Sequence, residues 1–373
     1  MQQSETQERQ EKTDIFRMNG LPWMTTQAPD SDVVISSRIR LARNYRKVPF
    51  PNRADFEQLA AVLQVTDGVI PVVEQAAHTH LSRFALDRLT KLQRDVLIDK
   101  RLITNNLAKN PQDRAAYISD DASISLLVNE EDHLRIACRT PGLALEQAYE
   151  TASAIDDAFE SRLDIAFDEK MGYLTSCPTN LGTGLRASVV LHLPGLVFTR
   201  NMTNIINISQ QLGLTVRGLY SDDNEVYGNL FRVSNQLTLG FSEQEIIDNL
   251  KSAVTEITAN ERRARKALAL YMKEHLEDDI WRAYGVLRYA RLLTEKEVLA
   301  LFSKVRLGID MRLIEEVSAD CFPDVLIGSR ASWLQNRAGT ENMSKNELDK
   351  LRAETVREAL AAHPGRRGRA ALQ

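Results

Sequence analysis

Cysteine is scarce in this chain: only Cys138, Cys177 and Cys321 occur in 373 residues, and no two stand at metal-ligand spacing. That excludes a disulfide framework and fits a reducing compartment. No polybasic run is present and the formal net charge is -4, which argues against general binding to nucleic acid or membrane surfaces and leaves room for a local basic site. No run approaches 18 apolar residues, so no membrane-spanning segment is expected. The opening MQQSETQERQEKTD has no apolar stretch of the kind a signal peptide needs. Also missing are a G-K-[ST] after the glycine-rich segment and a GxGxxG after a strand, so the common nucleotide-binding loops are not supported. A cytoplasmic protein is expected.

The chain is otherwise ordinary for a globular protein, with 43% apolar and 26% charged residues, and is long enough for one large domain and a smaller one. Residues 1–19 have little to bury and are expected to be disordered. Val33 to Ile39 reads as a strand, 55–64 and 74–101 as helical, and 124–129 and 133–139 as adjacent antiparallel strands joined by an acidic turn. Residues 143–161 return to helix, whereas 187–196 fits a strand or a buried helix equally. Residues 214–220 and 230–240 read as strands around a polar loop. Strands and helices mix without βαβ alternation, so the fold class is α+β. The character changes at Ser242. Ser242 to Glu245, Thr294 to Glu297 and Ser344 to Glu347 are capping boxes, each opening an amphipathic helix. The expected layout is a domain over 20–250, a helical domain over 251–362 and a basic tail over 363–373.

Three features carry chemistry. MGYLTSCPTNLGTGLRASV (171–189) suits neither helix nor strand and reads as a loop bringing backbone N–H groups and the Cys177 thiol to a site. Arg38 and Arg40 stand two apart on a strand and so face one side; with Arg135, Arg186 and Arg217 they place arginines at strand and loop ends of an acidic protein. That pattern suits a cage for a polyphosphate, because a guanidinium binds phosphate bidentately and keeps its charge. The turn NEEDHLR (129–135) offers three successive acids, of which Glu131 is the candidate general base. His133 and His192 lie in apolar segments and read as packing residues, with no metal site near them.

VISSRIRLAR, NEEDHLRI, SCPTNLGTGLRASV and LTVRGLY…NLFRVSNQLTLG together resemble, in order and spacing, the signature segments of the ATP:guanido phosphotransferases, or phosphagen kinases. The chain is most similar to the bacterial branch of that family that acts on arginine side chains of proteins. The resemblance implies a large, mostly antiparallel sheet flanked by helices, with a helical C-terminal domain. It implies ATP as substrate with Mg²⁺ held mainly by phosphates and water, and no direct metal ligand. It places the ATP-phosphate arginines on Arg38, Arg40, Arg135, Arg186 and Arg217, the catalytic glutamate on Glu131 and the active-site cysteine on Cys177; Glu130 would touch the Mg²⁺ water shell.

Three positions depart from the family pattern. The second guanidinium-binding carboxylate is Asp222 where the family has glutamate. Arg101 stands where a histidine usually lies against the adenine, and a guanidinium can stack there instead. The regulatory phosphoarginine motif retains Asp349 and Arg352 but has Leu348 in place of its first arginine. Implied partners are arginine-bearing protein substrates, an activator protein and a Clp-type ATPase or protease, with at least a dimer formed through the helical domain. The alternative activities are a kinase for free arginine or another guanidino metabolite, and a weakly active phosphoarginine-binding adaptor.

Overall fold

The structure, a computed structural model, describes residues 15–24, 26–222 and 225–366, without the side chains of Asp222 and Glu225. The strands are β1 (Val34–Arg43), β2 (Leu81–Ala85), β3 (Ala115–Ser119), β4 (Ile124–Val128), β5 (Leu134–Pro141), β6 (Phe167–Asp168), β7 (Gly172–Tyr173), β8 (Leu185–His192), β9 (Leu214–Gly218), β10 (Ser221–Asp222), β11 (Glu225–Val226) and β12 (Leu230–Asn235). Eight of them form one sheet in the order β2-β3-β4-β5-β1-β8-β12-β9, while β6–β7 and β10–β11 are small hairpins. Every neighbouring pair in the large sheet is antiparallel.

Side chains alternate across this sheet, which settles what each face does. Ile39 and Leu41 of β1, Ile136 and Cys138 of β5, Ala187, Val189 and Leu191 of β8, and Phe231 and Val233 of β12 enter one core. The helices Phe56–Ala77 and Leu145–Glu160 and the first part of Glu243–Tyr271 cover that face. The opposite parity is left for the arginines. The stretch 187–196, ambiguous by periodicity, is both things in turn: a strand to His192, then a short helix Pro194–Phe198.

Residues 74–101 are not one helix. The first helix ends at Ala77 with His78 in the left-handed region (φ 51°), and β2 then pairs with β3 as an edge strand before the helix Lys91–Asp99. Sheet pairing outweighs the helical spacing of Leu81, Phe84 and Ala85, as β-structure depends on context more than on propensity. The helix Phe56–Ala77 is long and apolar enough to cross a bilayer by length and composition, a feature that the count of uninterrupted apolar residues did not register. Its Val62, Val69, Ile70 and Val73 are packed in the core.

All three capping boxes form, the Ser242, Thr294 and Ser344 hydroxyls accepting the N–H three residues on and the glutamates reciprocating. The long helix they begin with bridges the expected 250/251 boundary. Ile246 to Ala264 belong to the sheet's core, and Leu268 joins a second, helical core with Ile280, Phe302 and Val356. At the other terminus residues 1–14 lie outside the described residues. Ile15, within the segment expected to be disordered, is 2% exposed, and its carbonyl and that of Met18 accept from the buried Lys100 ammonium. The basic tail beyond Arg366 also lies outside the described residues.

His133 illustrates how the fold holds a neutral imidazole. Its Nδ1 accepts the Tyr45 N–H at 3.1 Å, which leaves Nε2 to donate to the Pro49 carbonyl at 3.0 Å. Burial pushes the ring down to about 4. The unfolded chain therefore takes up a proton below about 6.5 that the folded protein refuses until about 4, so this contribution is complete above 6.5 and is lost as pH falls. Between pH 6.5 and 5 the loss from His133 is about 2 kcal/mol at roughly 1.4 kcal/mol per unit. Urea midpoints across that window should fall accordingly; a flat profile would mean that the folded ring takes up its proton as readily as the unfolded one.

Candidate active site

The register places seven arginines on one face of the sheet. Arg38 of β1 lies opposite Arg139 of β5 and Ser188 of β8, Arg40 lies opposite Ala137 and Arg186, Ala42 opposite Arg135, and Val190 opposite Arg232, which is itself opposite Arg217. The five arginines expected from the sequence therefore share this face, interspersed with Ala42, Ala137, Ser188 and Val190. Arg139 and Arg232 were not anticipated. Their parity is visible only once β5 and β12 are paired with their neighbours.

The electrostatics of this face call for an anion. Burial pushes the Arg40 guanidinium down to about 9, with Arg135, Arg186 and Arg232 adding to the effect. Burial lowers Arg38 well below the usual arginine range, and Arg139, Arg40, Arg232 and Arg135 contribute. Arg232 is lowered to about 10 by burial, then by Arg101 and Arg186. A buried like-charge cluster of this kind is stabilised by a polyanion that can bridge it.

The acidic turn divides its labour. Glu130 is buried, accepts from the Thr104 hydroxyl at 2.8 Å and pairs with Arg135 at 2.7 Å. Its Oε2 faces that arginine and its Oε1 the threonine hydroxyl. Asp132 is also buried, and its Oδ1 accepts from Asn44 Nδ2 and from the Ser176 N–H, both at 2.7 Å. Only Glu131 is open, with its side chain 39% exposed and 3.6 Å from Arg135.

The Asp132 link joins the Glu131 turn to the residue preceding Cys177. The Cys177 thiol stands 3.1 Å from the Thr179 hydroxyl, and its charge would be felt by Arg186. Gly182 (φ 106°) has the Thr238 carbonyl 2.5 Å from where a Cβ would be, so this loop can be layered so closely only with glycine. Thr238 in turn donates to the carbonyls of Thr179 and Leu181. Asp132→Ala is expected to release Ser176, shift the loop and lower kcat by about a hundredfold with little change in nucleotide affinity, since displacements on the order of 1 Å cost that much. Single-turnover rates and nucleotide titrations would check it, and an unchanged kcat would show that the loop holds its place without Asp132.

Arg101 sits at φ 59°, its carbonyl accepting from Arg139 at 2.6 Å and its guanidinium donating to the Leu219 carbonyl at 3.1 Å. Arg101 and Arg330 both approach the Tyr220 ring, each at 5.1 Å. Arg330 comes from the helical region and pairs with Asp99 and Glu295. The β10–β11 hairpin that carries Asp222 follows directly, and the Asp222 side chain lies outside the described residues.

Asp349 and Arg352, expected to receive a phosphoarginine, are closed on each other. Arg352 is 4% exposed and donates to the Ser329 and Leu293 carbonyls and to Asp349 at 2.5 Å. Through Nε and Nη1 of Arg352, the pair ties the helix Lys345–Ala362 to the rest of the helical core. Among the described residues no group of three or more His, Cys, Asp or Glu side chains could hold a metal ion.

Residues 64–264 match the family ATP:guanido phosphotransferase, C-terminal catalytic domain, and residues 273–370 match the Protein-arginine kinase McsB C-terminal domain. The protein-arginine kinase of Moorella thermoacetica is 45% identical over 341 residues, 91% of this chain and 97% of the relative. That of Desulforamulus reducens is 42% identical over 341 residues, 91% and 95% of the two chains. Among solved structures, a lombricine kinase superposes with a TM-score of 0.55 at 23% identity, covering 67% of this chain and 70% of its own.

Proposed function

Since the chain belongs to the ATP:guanido phosphotransferases and is a kinase, we propose that it transfers the γ-phosphoryl of ATP to arginine side chains of other proteins. The observation that carries this reading is the placement of Arg38, Arg40, Arg135, Arg186 and Arg217 on one sheet face with Glu131 and Cys177 tethered beside it through Asp132 and Ser176. The relatives named as protein-arginine kinases support the choice of acceptor.

Arginine is protonated at neutral pH and is a poor nucleophile, with a pKa above about 12. Glu131 orients one guanidinium nitrogen and takes its proton as the N–P bond forms. Asp222 pairs with the other side of the group, and the Cys177 thiol packs against it. The arginines hold the phosphates in line and offset the charge spreading over the transferring phosphoryl. Mg²⁺, carried by the nucleotide phosphates and water, would add to that offset. Neither acid nearest the cage is free as a direct ligand, Glu130 being paired with Arg135 and Thr104 and Glu131 kept for the acceptor.

In this reading the protein works in the cytoplasm, consistent with three free cysteines. Phosphoarginine would mark substrates for a Clp-type protease, with an activator protein controlling the kinase. A dimer or larger assembly would cover the exposed Leu270, Tyr271, Trp281 and Tyr289 of the helical region.

The test is to incubate the full chain with Mg-ATP and either an unfolded model protein or free arginine, and to look for acid-labile phosphoarginine by mass spectrometry. Phosphorylation of the protein but not the free amino acid is expected. Labelling of free arginine alone would favour a metabolite kinase, and no labelling would favour an adaptor. Asp222→Glu is expected to preserve or raise turnover by restoring about one methylene of reach; a total loss would mean that the hairpin is built around the shorter acid.

A further inference from the structure

A row of exposed apolar side chains runs along the rim of the Cys177 loop. Thr238 is 5% exposed, and its hydroxyl donates to the Thr179 and Leu181 carbonyls, which fastens its segment to that loop. With the threonine turned inward, its neighbours Leu237 and Leu239 are 53% and 47% exposed. The Leu239 Cα stands 2.8 Å from where a Cβ of Gly182 would be, and Gly182 in turn lies against Gly172, next to the exposed Met171. On the other side, Leu237 Cδ1 comes to 3.8 Å from the Cβ position of Gly213, beside the exposed Leu212. Three segments far apart in sequence thus present Met171, Leu239, Leu237 and Leu212 in one continuous row.

The row has the properties of a docking surface. Large apolar side chains scattered singly are ordinary on a protein, whereas a contiguous set marks a contact site. Its position is that of the acceptor: the Thr179 whose carbonyl holds Thr238 has its hydroxyl 3.1 Å from the Cys177 thiol. The charge around it suits an arginine-bearing chain. Asp168, Glu169, Glu243 and Glu245 adjoin the row along the chain, and Lys170 is the one cation within 167–171 and 237–245.

We propose that this row binds the apolar residues flanking the target arginine of an unfolded acceptor protein. The inference rests on the kinase reading above and names the kind of acceptor that the same site takes. A folded protein keeps most of its leucine, valine and phenylalanine side chains inside, whereas an unfolded chain offers them within a few residues of its arginines. The apolar row and its acidic surroundings match the two kinds of side chain that such a segment carries together, and Glu131 receives the arginine.

The experiment measures kcat and KM on the full chain with Mg-ATP and two synthetic peptides of equal length, phosphoarginine being read by mass spectrometry. Each peptide carries one arginine, flanked in one by leucine and valine and in the other by glycine and serine. A KM lower by roughly tenfold or more is expected for the apolar peptide, the worth of burying about one leucine side chain, with kcat alike. Leu237→Ser and Met171→Ser, from separate segments of the row, should each raise that KM severalfold. The KM of the glycine–serine peptide, the nucleotide Kd and the melting temperature should stay unchanged. Equal KM for the two peptides in the parent would overturn the inference and leave the kinase reading intact. A loss shared by both peptides in the variants would assign these residues to holding the loop and overturn it. So would a change in oligomeric state with KM unaltered, which would make the row a contact between copies of this chain. Transfer to no acceptor, peptide or unfolded protein, would overturn both readings.

Discussion

Glu131→Gln is expected to lower phosphoryl transfer by roughly 10²–10⁴-fold, the usual worth of a positioned general base, while nucleotide affinity and thermal midpoint stay unchanged. The argument is one of elimination within the acidic turn. Glu130 is consumed by Arg135 and Thr104, and Asp132 by Asn44 and Ser176. Glu131 alone projects outward, close enough to Arg135 to be oriented by it at 3.6 Å but not neutralised in a buried pair. Glu130→Gln and Asp132→Asn make the comparison sharp. Both remove charge from buried, partnered carboxylates and should lower the melting temperature as well as the rate. Wild-type turnover by Glu131→Gln would remove this residue from the proton transfer.

The second large effect belongs to Arg186→Ala, for which a fall in kcat of roughly 10²–10³-fold is expected, as for loss of one preorganised donor at a developing charge. Nucleotide affinity should weaken as well. Arg186 faces Arg40 across β1 and β8 and stands within the electrostatic reach of Cys177, Arg135 and Arg217. In the proposed reading it stands where the phosphate chain, the thiol and the acceptor would converge. Arg186→Lys should recover part of the affinity but little of kcat, since a point charge cannot reproduce the bidentate fork. Equal kcat and Kd in Arg186→Ala and the parent would take this arginine out of the cage. A uniform loss with Lys and Ala alike would point to the fork rather than the charge.

Much of the site was legible before any coordinates, because the relevant rules are local. Two arginines two apart on a strand share a face wherever that strand goes, so Arg38 and Arg40 could be paired from SSRIR alone. Capping boxes read equally well, since a serine or threonine hydroxyl reaches only the N–H groups of its own helix's first turn. Arg139 and Arg232 were missed for the converse reason. Arg139 shares its strand and parity with Arg135, four residues earlier, yet nothing local distinguishes a ligand-facing arginine from one on a solvated face. Asp132 was overshadowed by Glu131, since its role depends on Ser176, 44 residues away. Leu81–Ala85 was read as helix because its apolar spacing fits both periods, and only the β3 edge decides between them.

The sequence by itself determined the shared parity of Arg38 and Arg40, the acidic turn, the glycine-rich cysteine loop and the start of each long C-terminal helix. Each follows from dihedral preference, side-chain alternation or a hydrogen bond spanning a few residues. Tertiary structure decided what those arginines face, which of three adjacent acids is left open, and that Arg352 donates to Asp349 and two carbonyls. It also added Arg139 and Arg232 to the face. These outcomes depend on strand register and on which donors find acceptors in distant segments, and neither is encoded within a short window of chain.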